Sequence, residues 1–388
     1  MLSVDRIRVD TKNSFSNTVS GTDLIVGART GDINLLLYSV FRIGNATNNI
    51  SWNSYQTIIK NKNVKWNIPI SLGDSHQGYR VVGTNQDYFE YFKYANKKPL
   101  RFADGTGFEG VFSVVLGSEV ASKLNYKVGD KVVIAHGMGA TSFTKHDDKP
   151  FYVSGILSAT GTPVDQSLHV PLEGISAIHI DWSNGVKLQG KNITADQALQ
   201  MDLTPDTISA VFLGLNSKMA IFNVQRNIND YNKEPLSAII PATSLAKLWQ
   251  MIKAGESALF AVSIMVLITS LIAMTTVILS GLNERKREIA ILRAIGLPAK
   301  KILFLLVLES FLYGLVSVIA GYAIHIISIL SVQEYMQTNY AIQLSWGLPS
   351  SFMIFVLLGF LAMSILLGLL PGLKAYFNTL SEGLNPKT

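Results

Sequence analysis

The sequence contains no cysteine among its 388 residues, and only 15% of them are charged. The absence of cysteine excludes disulfides, thiolate metal sites and catalytic thiols. The charged fraction is well below the roughly 25% of an ordinary soluble domain, and the mean hydropathy is positive, at +0.29. The last 133 residues hold only 8 of the 33 Lys and Arg and 6 of the 27 Asp and Glu. We therefore predict a globular part over residues 1–255 and a lipid-embedded part over residues 256–388.

Three long apolar segments occur in the second part. Residues 258–282 and 348–373 contain almost only apolar and small side chains, and residues 302–332 contain only Glu309 and His325 as acidic or basic groups. Each segment exceeds the ~20 residues that an α-helix needs to cross the hydrocarbon core of a bilayer. Three such segments so close together would need a very large soluble partner to cover them. We predict a bundle of three transmembrane helices.

The loop charges predict an orientation. Residues 283–301 carry six Lys or Arg and two acids, whereas residues 333–347 carry only Glu334. The positive-inside rule places the first loop in the cytoplasm. Residues 1–255 are then outside the membrane and the C-terminus is inside. Export of such a domain needs a segment before it, and residues 1–30 hold neither a signal peptide nor a spanning helix. We therefore expect this sequence to lack a first transmembrane helix.

The sequence pattern over residues 1–255 predicts a mixed α/β domain, with an inserted subdomain around residues 90–210. Apolar runs bounded by turn residues predict strands, at residues 79–83, 110–116, 131–134 and 151–157. Helices are predicted at residues 52–60 and 118–124, with Ser51 and Ser118 as N-caps. A further helix over residues 239–254 is predicted to lead into the membrane. The fold class is α+β, with an extracytoplasmic α/β domain followed by the helical bundle.

No pattern in the chain predicts an enzyme. Residues 185–192 imitate the glycine spacing of a phosphate-binding loop but lack its Ser or Thr and do not follow a clear strand. His146 with Asp147 and Asp148 predicts a solvated turn more than a metal site. The other histidines are dispersed, so we expect no catalytic residue, cofactor or metal. The net charge is +6, and the densest basic run, Arg285 to Arg287, lies directly beside an apolar segment, which indicates a membrane loop and no nucleic-acid partner.

The loop over residues 283–301 predicts a short amphipathic helix. Ile289, Leu292 and Ile295 recur every three residues and form one apolar stripe. Gly296 is typical of a helix C-cap, and Pro298 blocks continuation of the helix. From the pattern alone, a docking element and an interfacial loop without a partner are equally well supported.

Several motifs resemble one known family. Residues 283–298, NERKREIAILRAIGLP, resemble the signature of FtsX-like permease domains, and the pair Leu308-Glu309 resembles a pair in their next helix. Residues 115–121 and 124–132 are similar to the MacB-like periplasmic core, and residues 151–157 and 169–172 are similar to strands that follow it. The resemblance covers nearly the whole chain. The family has four spanning helices, whereas three are predicted here.

The resemblance implies the permease subunit of an ABC transporter in a bacterial inner membrane. Its expected partners are a separate ABC-type ATPase, a second permease copy or homologous permease, the lipid bilayer and a periplasmic protein. The implied function is ATP-driven movement, export or extraction of a lipoprotein, peptide or drug. The alternative is a signal transmitter from the ATPase to a periplasmic partner without cargo. The residues implied to contact the ATPase are Glu288, Leu292, Arg293, Ala294, Ile295, Gly296 and Leu297.

Two further features concern the spanning helices. Glu309 and His325 lie 16 residues apart on one helix, about 24 Å at 1.5 Å per residue, so they cannot form one local site. We expect Glu309 to pair with Arg293, Lys300 or Lys301, and His325 to make an interior polar contact. Small residues permit close helix packing, either within the chain or at a dimer interface: Gly314, Gly321, Gly359, Ala362, Ser364 and Gly368.

Overall fold

The computed structural model describes residues 2–136, 146–183, 186–187, 193–284, 286–340, 344 and 349–377. The chain divides into two compact units. The α/β unit comprises Asp10–Ile252 and Tyr335–Gln343. The membrane unit comprises Met1–Val9, Lys253–Glu334 and Leu344–Thr388.

Most helices that precede the spanning segments are short. They are α1 (Leu2–Thr18), α2 (Asp32–Val40), α3 (Trp52–Ile59), α4 (Asp87–Tyr91), α5 (Ser118–Leu124), α6 (Leu172–His179), α7 (Ala195–Ala198) and α8 (Ile221–Asn229). Ser51 caps α3 as predicted, because its side chain accepts a hydrogen bond from the backbone N–H of Ser54. The cap predicted for α5 is wrong by one residue, since Gly117 is the N-cap and Ser118 is already helical.

The strands are β1 (Leu24–Ala28), β2 (Ile50–Ser51), β3 (Val64–His76), β4 (Tyr79–Thr84), β5 (Lys93–Tyr94), β6 (Lys98–Pro99), β7 (Phe102–Gly105), β8 (Ser113–Leu116), β9 (Lys131–Val132), β10 (Ala135–His136), β11 (Phe151–Leu157), β12 (Ser167–Pro171), β13 (Trp182–Ser183), β14 (Val186–Lys187), β15 (Thr207–Ile208), β16 (Ala210–Leu215) and β17 (Leu236–Ile239). Eleven of the strands in the described residues form one mixed sheet, with the order β17-β1-β16-β3-β4-β12-β8-β11-β7 and with β10 on β3 and β9 on β11.

The long strand β3 joins the two halves of this sheet. Its first half pairs antiparallel with β16, where Ile70 faces Ala210, and its second half pairs with β4, where Leu72 faces Val82. Parallel pairs occur between β4 and β12 and between β8 and β11. Residues 90–210, expected as an inserted subdomain, thus contribute strands to the same sheet as the rest of the unit.

Both faces of the sheet are buried at β1. On β1, Ile25 packs into one apolar cluster with α2 and α4, while Leu24 and Val26 pack into another with α3 and α8. Strands that are covered on both sides consist of continuous apolar runs, which is why such runs located them in the sequence. His169 on β12 is also fully buried, with its ring 4.7 Å from the ring of Tyr88.

Two predicted strands are shorter than expected. In the run predicted over residues 110–116, the strand begins only at Ser113. The preceding residues form a turn, in which the N–H of Ser113 donates a hydrogen bond to the carbonyl of Gly110. The run over residues 131–134 ends as a strand at Val132, and the carbonyl of Ile134 accepts from the N–H of His146. The other two strands, over residues 79–83 and 151–157, are confirmed.

The remaining helices are α9 (Pro241–Glu284), α10 (Lys286–Ala294), α11 (Ala299–Tyr340) and α12 (Ser351–Phe377). The membrane unit contains α10, α12 and most of α9 and α11. Three of them are long and apolar enough to cross a membrane, within the described residues, which confirms the three predicted spans. The helix predicted over residues 239–254 begins at Pro241 and continues without a break into the first span. Proline is well suited to this first turn, where its missing N–H would have no helical partner.

Helices α11 and α12 pack through two reciprocal pairs of small residues. A Cβ atom on Gly314 would lie 2.9 Å from Cβ of Ser364, and one on Gly368 would lie 2.5 Å from Cβ of Ser310. We call these four residues the glycine–serine seam. Their spacing of four residues on each helix is the small-xxx-small pattern of close packing in membranes. The seam is intramolecular, whereas Gly321 and Gly359 face open space.

Candidate functional site

The predicted coupling segment forms a helix with a fixed end. Helix α10 stops at Ala294, and Gly296 follows with a φ of +99°. The N–H of Gly296 donates to the carbonyl of Arg293 at 3.1 Å, and that of Leu297 donates to the carbonyl of Leu292 at 3.0 Å. These two bonds are the Schellman motif, which confirms Gly296 as the residue that ends the helix. Within the described part of the chain, apart from its two neighbours, no atom lies within 4 Å of a Cβ placed on Gly296, so glycine is needed there for its backbone angle.

One face of α10 packs against the start of α11. Ile289 and Leu297 contact Ile302 and Leu306, both of which are buried, and Ala290 is buried as well. The expected stripe of Ile289, Leu292 and Ile295 is therefore wrong, because Ile289 faces inward.

The opposite face of α10 is apolar and exposed. Ile295 is 77% exposed, Ile291 50% and Leu292 39%. Together with the exposed Glu288 they occupy positions i, i+3, i+4 and i+7, which lie on one side of a helix. We call Ile291, Leu292 and Ile295 the exposed α10 face.

All seven residues implied by the resemblance lie on α10 or in the turn that ends it. Glu288, Leu292, Ala294, Ile295 and Gly296 are exposed. Arg293 and Leu297 are half-buried, and Leu297 belongs to the packed side.

Sequence reasoning missed Ile291. A spacing of three residues selects Leu292 and Ile295, but the helical period of 3.6 also places Ile291 beside them. A helical projection that started from Glu288 would have found it.

The two intramembrane polar residues have described contacts. The hydroxyl of Tyr313, one turn further along α11, donates to Oε1 of Glu309 at 3.0 Å. Oγ of Ser3 lies 2.9 Å from Nδ1 of His325, which is buried. Pairing of Glu309 with the basic residues of the loop stays a prediction. The segment over residues 185–192, whose glycine spacing is similar to that of a phosphate-binding loop, lies largely outside the described residues.

Two family models match the chain. The model of the MacB-like periplasmic core domain matches residues 7–231, and that of the FtsX-like permease C-terminal domain matches residues 260–380. The chain belongs to the FtsX-like and MacB-like permease family. Members are permease subunits of ABC transporters and work with an ABC ATPase. The chain is accordingly a membrane protein that carries a MacB-like periplasmic domain.

Similar solved structures cover the periplasmic part. The periplasmic region of MacB from Actinobacillus actinomycetemcomitans is 13% identical, with a TM-score of 0.35, over 61% of this chain and 94% of that one. The extracellular domain of the noncanonic ABC-type transporter YknZ from Gram-positive bacteria is 14% identical, with a TM-score of 0.32, over 56% and 99%. No curated protein matches the sequence. The family assignment rests on the two family models.

Proposed function

We propose that this permease couples ATP hydrolysis on a separate ATPase to movement of its α/β unit, through α10 and the turn at Gly296. The substrate is a lipophilic or amphiphilic molecule such as a lipoprotein, a peptide or a drug. A second permease copy or a homologous permease completes the transporter.

The observation that carries this proposal is the exposed α10 face. Three large aliphatic side chains are exposed there, two on a helix of only nine residues and one, Ile295, directly after its last residue. The same loop carries Arg287, Lys300 and Lys301 as exposed cations, which favour the aqueous side of a cytoplasmic membrane surface. A clustered apolar surface with a polar rim is typical of a protein–protein interface. An ATPase groove would remove this surface from water.

Packing supplies a path for force. A partner that holds the exposed α10 face holds a helix whose other side is packed onto Ile302 and Leu306 of α11. The Schellman turn leaves little freedom between α10 and α11, because its two hydrogen bonds fix the turn. A displacement of α10 is therefore passed on to the start of α11.

Photo-crosslinking tests the contact. A photoreactive amino acid replaces Ile295 in the full chain, and native membranes are irradiated and then labelled with azido-ATP. We expect one crosslinked product that also carries the nucleotide label. The control is the same replacement at Met219, which is 88% exposed in the α/β unit. A product without nucleotide label, or equal labelling from both positions, would contradict the proposal.

A charge substitution tests the energetics. Ile295→Asp places a carboxylate in the proposed groove, and we expect the affinity for the ATPase to fall by about 30-fold, the equivalent of about 2 kcal/mol for a hot-spot side chain. Met219→Asp is the matched control and should leave the affinity unchanged. Binding of the purified ATPase to the chain in nanodiscs measures both. Equal affinity in the two variants would remove the exposed α10 face from the interface.

The orientation is tested with single cysteines, for which the cysteine-free chain offers a clean background. Ile295→Cys and Met219→Cys are both strongly exposed, so differences in labelling reflect sidedness. With a maleimide that cannot cross the inner membrane, we expect Met219→Cys to react in intact cells and Ile295→Cys to react only after lysis. The reverse result would place α10 outside and exclude contact with a cytoplasmic ATPase.

A further inference from the structure

The fold brings together three side chains that are far apart in the sequence. Asp74 lies near the end of β3, His146 lies ten residues after β10, and His179 ends α6. One oxygen of Asp74 and one nitrogen of each histidine lie within 4.8 Å of one another. The histidines that the sequence presents as dispersed thus include a convergent pair beside a carboxylate.

The backbone holds each of the three residues. Asp74 faces His136 in the register of β3 and β10. The N–H of His146 donates to the carbonyl of Ile134 at 2.9 Å. Helix α6, which carries His179, packs so closely on β4 that a Cβ on Gly83 would lie 2.9 Å from Cγ1 of Ile175. Secondary structure and close packing therefore fix the three side chains relative to one another.

A buried ion pair ties the two histidine segments together. Nζ of Lys149 lies 2.7 Å from Oδ1 of Asp181, and both side chains are fully buried. Lys149 follows His146 by three residues, and Asp181 follows His179 by two. The ring of Trp182 stands against the ring of His146, with centroids 4.6 Å apart. The ion pair therefore connects the segment that follows His146 to the residues that follow α6.

The geometry is close to that of a metal site. Nε2 of His179 and Oδ1 of Asp74 are 3.6 Å apart. Tetrahedral zinc with bonds of about 2.0–2.2 Å separates its ligand atoms by about 3.4 Å. The imidazole rings of His146 and His179 are perpendicular, at 88°, with centroids 5.1 Å apart. They approach edge to face and so can direct nitrogens at one point.

The chemistry of the group selects the class of ion. Two imidazoles and one carboxylate suit Zn²⁺ and neighbouring divalent ions such as Co²⁺ and Ni²⁺. Asp74 and His146 are buried, whereas the side chain of His179 is 30% exposed. The ion can therefore enter from the side of His179, where a water molecule can supply the fourth ligand. We propose that Asp74, His146 and His179 form a binding site for a divalent metal ion of the zinc class.

The site would stabilise the fold. The ion would connect the sheet, the segment that starts at His146 and the end of α6, which the sequence separates widely. A metal that binds only the folded chain stabilises it by mass action. Metal binding at this site does not depend on the ATPase or on transport.

Metal titration of the full chain in detergent tests the site. The protein carries an affinity tag without histidine and is stripped of metal before the titration. We expect one equivalent of Co²⁺ to give the visible absorption of a tetrahedral complex, and Zn²⁺ to displace it. We also expect Zn²⁺ to raise the melting temperature. Absence of a saturable Co²⁺ spectrum would overturn the proposal.

Variants locate the ion. His179→Ala and the isosteric Asp74→Asn should each weaken Zn²⁺ binding by more than about 100-fold, since loss of an outer-shell partner alone costs 10–100-fold. His325→Ala in the membrane unit is the histidine control and should bind as the unaltered chain does. Circular dichroism establishes whether each variant is folded. If His179→Ala is not folded, the Zn²⁺ affinity of Asp74→Asn tests the site. Unchanged Zn²⁺ affinity in a folded variant would refute the site.

Discussion

A single methyl group, added at four positions, tests how α11 and α12 pack. Gly314→Ala and Gly368→Ala place the methyl inside the glycine–serine seam, where it would lie 2.9 Å from Cβ of Ser364 and 2.5 Å from Cβ of Ser310. Carbon atoms in contact normally lie about 3.5–4.0 Å apart, so both substitutions force the helices or side chains to move. Gly321→Ala and Gly359→Ala add the same methyl where, among the residues the structure describes, no atom beyond the local helix backbone lies within 4 Å.

The expected magnitudes follow from two opposing effects. Overpacking costs about 1–3 kcal/mol, and replacing glycine by alanine inside a helix returns about 0.5–1 kcal/mol. We expect net losses of about 0.5–2 kcal/mol for Gly314→Ala and Gly368→Ala, with Gly368→Ala the worse because its contact is shorter. Gly321→Ala and Gly359→Ala should be neutral or stabilising. Reversible unfolding of the full chain in mixed micelles measures all four.

Reciprocal changes sharpen this test. Ser364→Gly in the Gly314→Ala background removes the atoms that clash with the new methyl, so it should restore most of the lost stability. The same Ser364→Gly change combined with Gly321→Ala should be additive, because Gly321 has no atom of Ser364 within 4 Å. If the two seam variants are as stable as the two open-space variants, the helices do not pack at these residues and our account of the seam is wrong.

Three further predictions concern other parts of the chain. Gly296→Ala places a side chain on a residue with a φ of +99° and should reduce stimulation of the ATPase by this chain. Gly255→Ala, at a helical glycine that also faces open space, should leave the stimulation unchanged. The rate of ATP hydrolysis by the complex measures both variants. Burial holds the pKa of His169 in the folded chain at about 3, below its ordinary 6.5. As the pH falls, the unfolded chain therefore binds a proton at His169 before the folded chain does. Stability should then fall between pH 6.5 and 3, by about 2 kcal/mol at pH 5, and His169→Gln should remove this part of the pH dependence in thermal unfolding. Lys149→Met removes one member of a buried ion pair and should cost about 3–5 kcal/mol in denaturant unfolding, while the double variant with Asp181→Leu should regain most of it.

The spanning helices were predictable because composition alone determines them. Helix α9 shows the limit of that reasoning, since the apolar run predicts only residues 258–282 and the helix extends over Pro241–Glu284. Its first part carries Lys247 and Lys253 and was predicted separately, as a helix over residues 239–254 that leads into the membrane. Helix α1 was not predicted at all. It is polar on average, and it contacts the spanning helices through residues distant in sequence, as in the hydrogen bond between Ser3 and His325, more than 300 residues away.

Local signals also predicted the end of α10 better than its orientation. Gly296 and Pro298 specify a stop through backbone geometry, which neighbouring residues determine. The side of α10 that is buried depends on where α11 begins and on Ile302 and Leu306, which the sequence of α10 does not encode. The group of Asp74, His146 and His179 is harder still to predict, because only the tertiary fold brings a strand, a loop and the end of a helix together there.

The glycine–serine seam and the Schellman turn together constrain how α10 can act. Small residues that interlock every four residues resist gradual sliding of one helix along the other. A shift of α11 along α12 must carry each side chain past the residue that it contacts to the position four residues further on, about 6 Å away. Gly314 opposite Ser364 and Gly368 opposite Ser310 form two such interlocks on one helix pair. A displacement that α10 imposed on the start of α11, as we propose, would therefore be shared by α12 and would move the two helices as one body. For the proposed function, this means that ATP-driven motion would act as a tilt of the α11–α12 pair and not as a stroke of one helix along the other.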